Sequence, residues 1–181
     1  MEFSSAPVSE KPPFSFEAQN RLGKKGEEVV FSFLRNLPET LEVLDTSEER
    51  KFQSYGVDGI WTFENAKTDL FEAIFFDIKT DFNMHRTDRV FLEIESSVET
   101  GKKGNLLSTK AQYFFYYDPW KGKLYQLPIF ALRRWYRLVG ISMKHFEVKN
   151  KTYTSTGISA PISELREATL FTEYEVPNIK W

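Results

Sequence analysis

Apolar residues recur along this chain with two different periods. From Glu17 to Leu37 the period is helical: Leu22, Val29, Val30, Phe33, Leu34 and Leu37 fall on one side at about 100° per residue, and Pro38 closes the segment. The stripe centres near Val30 and Leu37, which puts Glu27 at its edge and Glu28 almost opposite. Beyond Pro38 the period shortens to two. Leu41–Asp45 reads as a short strand and Thr46–Arg50 as a polar connector. Phe52–Phe63 reads as a second strand, with Tyr55, Val57, Trp61 and Phe63 on one face and Asp58, Ile60 and Thr62 on the other. The short turn Glu64–Asp69 then predicts a hairpin with the strand Phe71–Thr80.

Further on, a polar loop over 81–89 carries His85 and Arg86. Val90–Ser96 alternates strictly and places Glu93 and Glu95 on one face, followed by a flexible basic loop with Lys102 and Lys103. Asn105–Ala111 predicts a short helical turn carrying Lys110, and Gln112–Asp118 an aromatic strand. Pro119–Gly122 is turn chemistry, returning into a strand over Lys123–Leu127. A helix starts at Pro128 and runs to about Val139, with Ile129, Leu132, Trp135 and Tyr136 inward and Arg133, Arg134 and Arg137 outward. The last forty residues or so are less regular, with Ser159–Ser163 leading into a short acidic helix. Residues 1–16, with Pro7, Pro12 and Pro13, have no period and predict a disordered tail, leaving 17–181 as a single domain.

Composition narrows the class. Of the 181 residues 41% are hydrophobic, and 17 Phe, 8 Tyr and 4 Trp predict a folded core rich in flat side chains. The absence of cysteine removes disulfides and thiolate metal sites and suits a reducing compartment. No run reaches the ~20 apolar residues that span a bilayer, and Met1–Pro7 lacks the order of a signal peptide, so the expectation is a soluble, cytoplasmic protein without membrane partners. A net charge of −2 argues against a protein that coats nucleic acid electrostatically, but not against an enzyme that acts on it.

The strand Phe71–Thr80 holds the candidate chemistry. Ile74, Phe76 and Ile78 line one face, while Asp77 and Lys79 project from the other with Ala73 and Phe75. Charges on a buried strand are costly unless paired or functional, so Asp77 and Lys79 form either an ion pair or a site. The hairpin brings Asp58, set between Val57 and Gly59, beside Asp77. Converging carboxylates raise one another's pKa unless a cation lies between them. With oxygen ligands and no cysteine, that cation is Mg2+ or Mn2+.

The order of Glu27 in Gly26-Glu27 on a helix, Asp58 on a strand and Asp77-Ile78-Lys79 on the next strand resembles the PD-(D/E)XK, or restriction-endonuclease-like, nuclease superfamily. Ser108-Thr-Lys-Ala-Gln112 looks like the extra lysine or glutamine motif of some branches, and the first acid is flanked as Val57-Asp-Gly59 where the family pattern has Pro-Asp. The resemblance spans residues 20–127, with 128–181 as a C-terminal elaboration. It implies an α/β fold with a restriction-endonuclease-like core, a central mixed sheet flanked by helices; the alternation of one strong helix with several short strands predicts about four or five strands, with the Glu17–Leu37 helix packing on one face. The resemblance also implies a Mg2+- or Mn2+-dependent endonuclease hydrolysing DNA, with a phage, mobile-element or repair setting among the expectations. Asp58, Asp77 and Glu27 would hold the metal, and Lys79 and Lys110 would complete the catalytic set. The alternative is a non-catalytic nucleic-acid-binding or protein-interaction module on the same fold, and oligomeric state stays open, a homodimer included. Glu93 and Glu95 read as a solvated strand face or the edge of the metal site, and His85 as a loop residue. Lys102, Lys103, Lys110, Arg133, Arg134 and Arg137 are candidates for phosphate contacts.

Overall fold

A computed structural model describes residues 16–150, 152–169 and 171–176, so nearly all of the expected N-terminal tail lies outside the described residues. The first helix, α1 (Phe16–Arg35), buries Leu22, Val30, Phe31 and Leu34. Val29, Phe33 and Leu37 pack at the margin of that core, so the stripe is rotated slightly from its expected centre to take in Phe31. Glu27 is half-buried and Glu28 exposed.

Helix α1 lies on a six-stranded sheet. Its strands are β1 (Thr40–Asp45), β2 (Gly59–Asn65), β3 (Leu70–Thr80), β6 (Tyr113–Asp118), β7 (Lys123–Pro128) and β10 (Thr172–Glu175), neighbours in that order. Every pairing is antiparallel except β3 with β6, which makes the sheet mixed and β3 central. The expected hairpin is present, closed by a turn in which Asp69 adopts a φ of 57°. Ile74, Phe76 and Ile78 face α1, where they join Trp61, Phe115 and Tyr117 in an aromatic core. Phe76 meets Phe115 edge-on with centroids 5.1 Å apart.

A parallel pair needs a long crossover. Here that connection, residues 81–112, contributes strands to a second sheet. It carries α3 (Met84–Thr87), β4 (Arg89–Ser97), β5 (Lys102–Lys103) and α4 (Asn105–Ser108). Strand β5 pairs antiparallel with β4, β4 with β9 (Thr154–Pro161), and β9 with β8 (His145–Lys149). Helices α5 (Ile129–Leu138) and α6 (Ile162–Ala168) complete this half. Its core joins Leu92, Phe114, Leu127, Leu132, Trp135 and Ile158. All four residues expected to face inward from α5 are buried. No helix among the described residues is long and apolar enough to cross a membrane.

Three expectations are corrected. Residues 52–58 are not the start of a strand: α2 (Arg50–Tyr55) occupies most of that stretch, and Gly56, with a φ of 62°, turns the chain so that β2 begins only at Gly59. Polar residues interrupt any alternation there, and a left-handed glycine is a helix-end signal. Strand β3 is also not buried along its length. Leu70, Phe71, Ala73 and Phe75 are exposed, and only the C-terminal half, where the crossover folds over it, is covered. Finally, the central sheet has six strands instead of four or five, and a second sheet covers its other face. Strand β9 carries little apolar alternation and β8 is only five residues long and exposed throughout, which is why the C-terminal region did not read as sheet.

Candidate active site

The site forms where the hairpin meets α1. Gly59 pairs with Phe76, so the register carried one step further sets Asp58 opposite Asp77. Three hydrogen bonds hold Asp58 there. Its N–H donates to Phe76 O at 2.8 Å, its carbonyl accepts from Thr46 N–H at 2.9 Å, and its Oδ2 accepts from Ile78 N–H at 2.7 Å. A side chain that caps the partner strand in this way cannot swing out without losing a ladder bond.

Asp77 is buried to 1% exposure on the face away from α1. Its Oδ1 pairs with the Lys79 ammonium. Lys79 keeps 34% of its side-chain surface. Asp77 and Lys79 thus leave the same strand face and converge, as their two-residue spacing requires.

Helix α1 brings Glu27. Gly26 packs directly on Thr80, the last residue of β3: a Cβ at Gly26 would overlap the Thr80 hydroxyl. Glycine is needed here for close approach, since the next residue must reach the end of the site strand. Thr80 Oγ1 is itself buried without a hydrogen-bond partner.

The charges interact strongly. Burial, reinforced by Asp58, pushes the Asp77 carboxyl up to about 7 against the opposing pull of Lys79. For Lys79, burial disfavours the ammonium, but Asp77, Asp58 and Glu93 outweigh it and hold its pKa above the ordinary value. Burial raises Glu27 too, with Asp58 and Asp45 adding to the rise and Lys79 and Lys24 opposing it. Glu27, Asp58, Asp77 and Lys79 therefore share one electrostatic environment. Such a crowd of acids stores repulsion that a cation would relieve.

Lys110 stands apart from these four. It is exposed, its backbone N–H donates to Tyr55 O at 2.7 Å, and among the described residues no hydrogen bond or ion pair links its ammonium to them. Arg133 does not offer a free phosphate contact: Nε and Nη2 donate to Leu106 O and Thr109 O, each at 2.7 Å, closing the end of α4. Arg134, Arg137, Lys102 and Lys103 are exposed.

Two further acids border the site. Glu93, read together with Glu95 as either a solvated strand face or the edge of the metal site, acts on Lys79 and accepts Asn105 N–H at 3.2 Å; Glu95 instead accepts Thr156 Oγ1–H at 3.1 Å. Asp45 ends β1 opposite Gly59, one step from Asp58, and a carboxylate closing a strand was the signal that could have found it. Among the described residues, no three His, Asp or Glu side chains converge closely enough to hold a metal ion as they stand. The direct convergence is that of Asp58 and Asp77, with Glu27 further out.

Compared with known proteins, the chain matches no family model and no curated protein. The solved structure of D212, a nuclease from a fusselovirus, is similar with a TM-score of 0.38 at 19% identity, over 88% of this chain and 95% of that one. That likeness is too loose to carry an activity across.

Proposed function

We propose that this protein is a divalent-metal-dependent phosphodiesterase that cuts DNA, built on a restriction-endonuclease-like core. The observation that supports this reading best is the facing pair Asp58 and Asp77, with Lys79 on the same strand face and Glu27 at the end of the strand. A pair of acids, one of them buried and held near-neutral, is an uneconomical way to stabilise a sheet.

The donor set fits a hard cation. Every candidate ligand is a carboxylate oxygen, the donor type that a hard cation takes, and the acids outnumber the one lysine among them. Asp58 and Asp77 would hold the ion, with Glu27 as the outer acid. A bound Mg2+ or Mn2+ supplies Lewis acidity toward the scissile phosphate and lowers the pKa of an attacking water. The protein's own contributions are definite. Asp58 is held by the Ile78 N–H, so its carboxylate is positioned before a ligand arrives. Lys79, cationic throughout the neutral range, offsets phosphate charge and orients water.

One observation favours the second reading, a non-catalytic nucleic-acid-binding or interaction module. Lys79 already contacts the oxygen that a cation would need, so the two residues can be read as a purely structural ion pair. A thermal melt separates the readings. Mn2+ added to the metal-free protein should raise Tm, increasingly so with the logarithm of its concentration above Kd, and plasmid and oligonucleotide DNA should be cut in Mn2+ but not in EDTA. An unchanged Tm together with intact DNA rejects the phosphodiesterase.

A further inference from the structure

Beside Lys79 a cleft of about 830 Å³ opens between the end of β3, α3 and the second sheet; Asp81, His85, Arg86 and Trp120 are among its walls. Trp120 is the conspicuous member, 50% exposed on the turn between β6 and β7. The turn is held from beneath. Asp118, fully buried, accepts Trp120 N–H at 2.9 Å and Lys121 N–H at 3.0 Å on one oxygen, and Gly122 completes the bend with a φ of 62°. The indole stands 5.6 Å from the His85 ring, with 52° between their planes.

The cations around the cleft divide into committed and free. Arg89 spends its guanidinium on Ser159, through the carbonyl at 2.6 Å and the hydroxyl at 3.1 Å, and Lys121 pairs with Asp88 at 3.4 Å. Arg86, one residue from His85 on α3, is exposed and has no ion pair among the described residues. A half-exposed aromatic ring, an uncommitted guanidinium and the Lys79 side chain therefore line one cleft.

We propose that this cleft receives an unpaired DNA strand, with one base lying against Trp120 and Arg86 on a neighbouring phosphate. The inference rests on the phosphodiesterase reading, which places the reacting phosphate beside Lys79. Every base has a π face, so an aromatic platform binds single strands with little sequence preference. A paired base is already stacked and offers such a ring nothing. The overall charge of −2 points the same way. A chain without a positive field gains little from duplex backbone alone, so stacking has to supply affinity that electrostatics does not.

The test is fluorescence anisotropy in EDTA, using a labelled oligothymidine and a blunt duplex of equal length, on wild type and on variants of unchanged Tm. Wild type should favour the single strand. Trp120→Ala should weaken single-strand binding roughly tenfold and leave duplex binding unchanged, whereas Trp120→Phe should retain most of the affinity. Arg86→Ala should weaken binding and lower the salt slope by about one. Wild-type affinity in Trp120→Ala, or equal losses on both ligands, overturns the proposal. The two readings fail separately. A protein that cuts DNA but ignores Trp120→Ala loses the strand cleft and keeps the phosphodiesterase, while Trp120-dependent binding in a protein that cuts nothing does the reverse.

Discussion

Asp58 faces Asp77 across the start of the β2–β3 ladder, and the same Asp58 side chain accepts the Ile78 N–H at 2.7 Å. Two acids thus meet at a point that the backbone itself defines. Asp77→Asn removes the repulsion while keeping the shape. The expected result is a protein that folds normally and, in EDTA above neutral pH, melts no lower than wild type, yet no longer cuts DNA in Mn2+. Cleavage within severalfold of wild type would show that Asp77 is not a metal ligand.

The raised carboxyl of Asp77 gives a pH dependence of definite sign. Below about 4 the group is protonated in both folded and unfolded chains and contributes nothing. As pH climbs from there to about 7, the unfolded chain releases a proton that the native state retains. Stability therefore falls through this window and levels off above it, by no more than about 4 kcal/mol for this group alone. Metal binding runs oppositely, because the ligand must be deprotonated: Mn2+ affinity should rise up to about pH 7 and then flatten. Melts in EDTA and calorimetric titrations with Mn2+ across the same buffers check both slopes, and Asp77→Asn should flatten the first.

Gly26 sets the height of α1 over the sheet. Gly26→Ala places a methyl on the Thr80 side chain, and relief requires the helix to lift from the end of β3. The expected cost is about 1–3 kcal/mol, as for other overpacked positions. The same movement carries Glu27 away from Asp58, so cleavage per folded molecule should fall as well. Combining Gly26→Ala with Thr80→Ala should recover part of both losses, measured by urea denaturation and by initial rates.

The placement of Glu27, Asp58, Asp77 and Lys79 near one another, though not of Lys110, was legible because it depends on local rules. Two-residue alternation places Asp77 and Lys79 together, a short polar turn makes the hairpin that brings Asp58 opposite, and a helical period puts Glu27 at the margin of its stripe. The rest depended on tertiary packing that alternation does not encode. Gly56 ends a helix where a strand was expected, since a six-residue helix has too few turns to show a period. The crossover required by the parallel β3–β6 pair forms a second sheet with β9, whose Thr-Ser-Thr-Gly run carries no apolar signal and is buried only because β4 and β8 flank it. Arg133 read as a solvated arginine because the carbonyls that it closes, at Leu106 and Thr109, come from a segment more than twenty residues away.

Lys79 is where the structural and catalytic readings separate most clearly. Its ammonium meets Asp77 in a setting that Asp58 and Glu93 make still more negative. Were the pair purely structural, Lys79→Met would leave a buried acid without its counter-charge and cost up to ~3–5 kcal/mol, with the rate per folded molecule unchanged. The raised carboxyl of Asp77 tempers that loss, because an acid already inclined to hold its proton can neutralise itself when the lysine goes. The expected result is therefore a modest drop in Tm at pH 6 and a larger one at pH 8. Mn2+ affinity should be kept or increased, since the competing ammonium is gone, and cleavage should fall by orders of magnitude because nothing orients the water or offsets the phosphate. Melting temperature, Mn2+ affinity and cleavage rate measured on one preparation decide the matter. Lost stability with an undiminished rate per folded molecule would make Lys79 a structural partner of Asp77 and remove it from the chemistry.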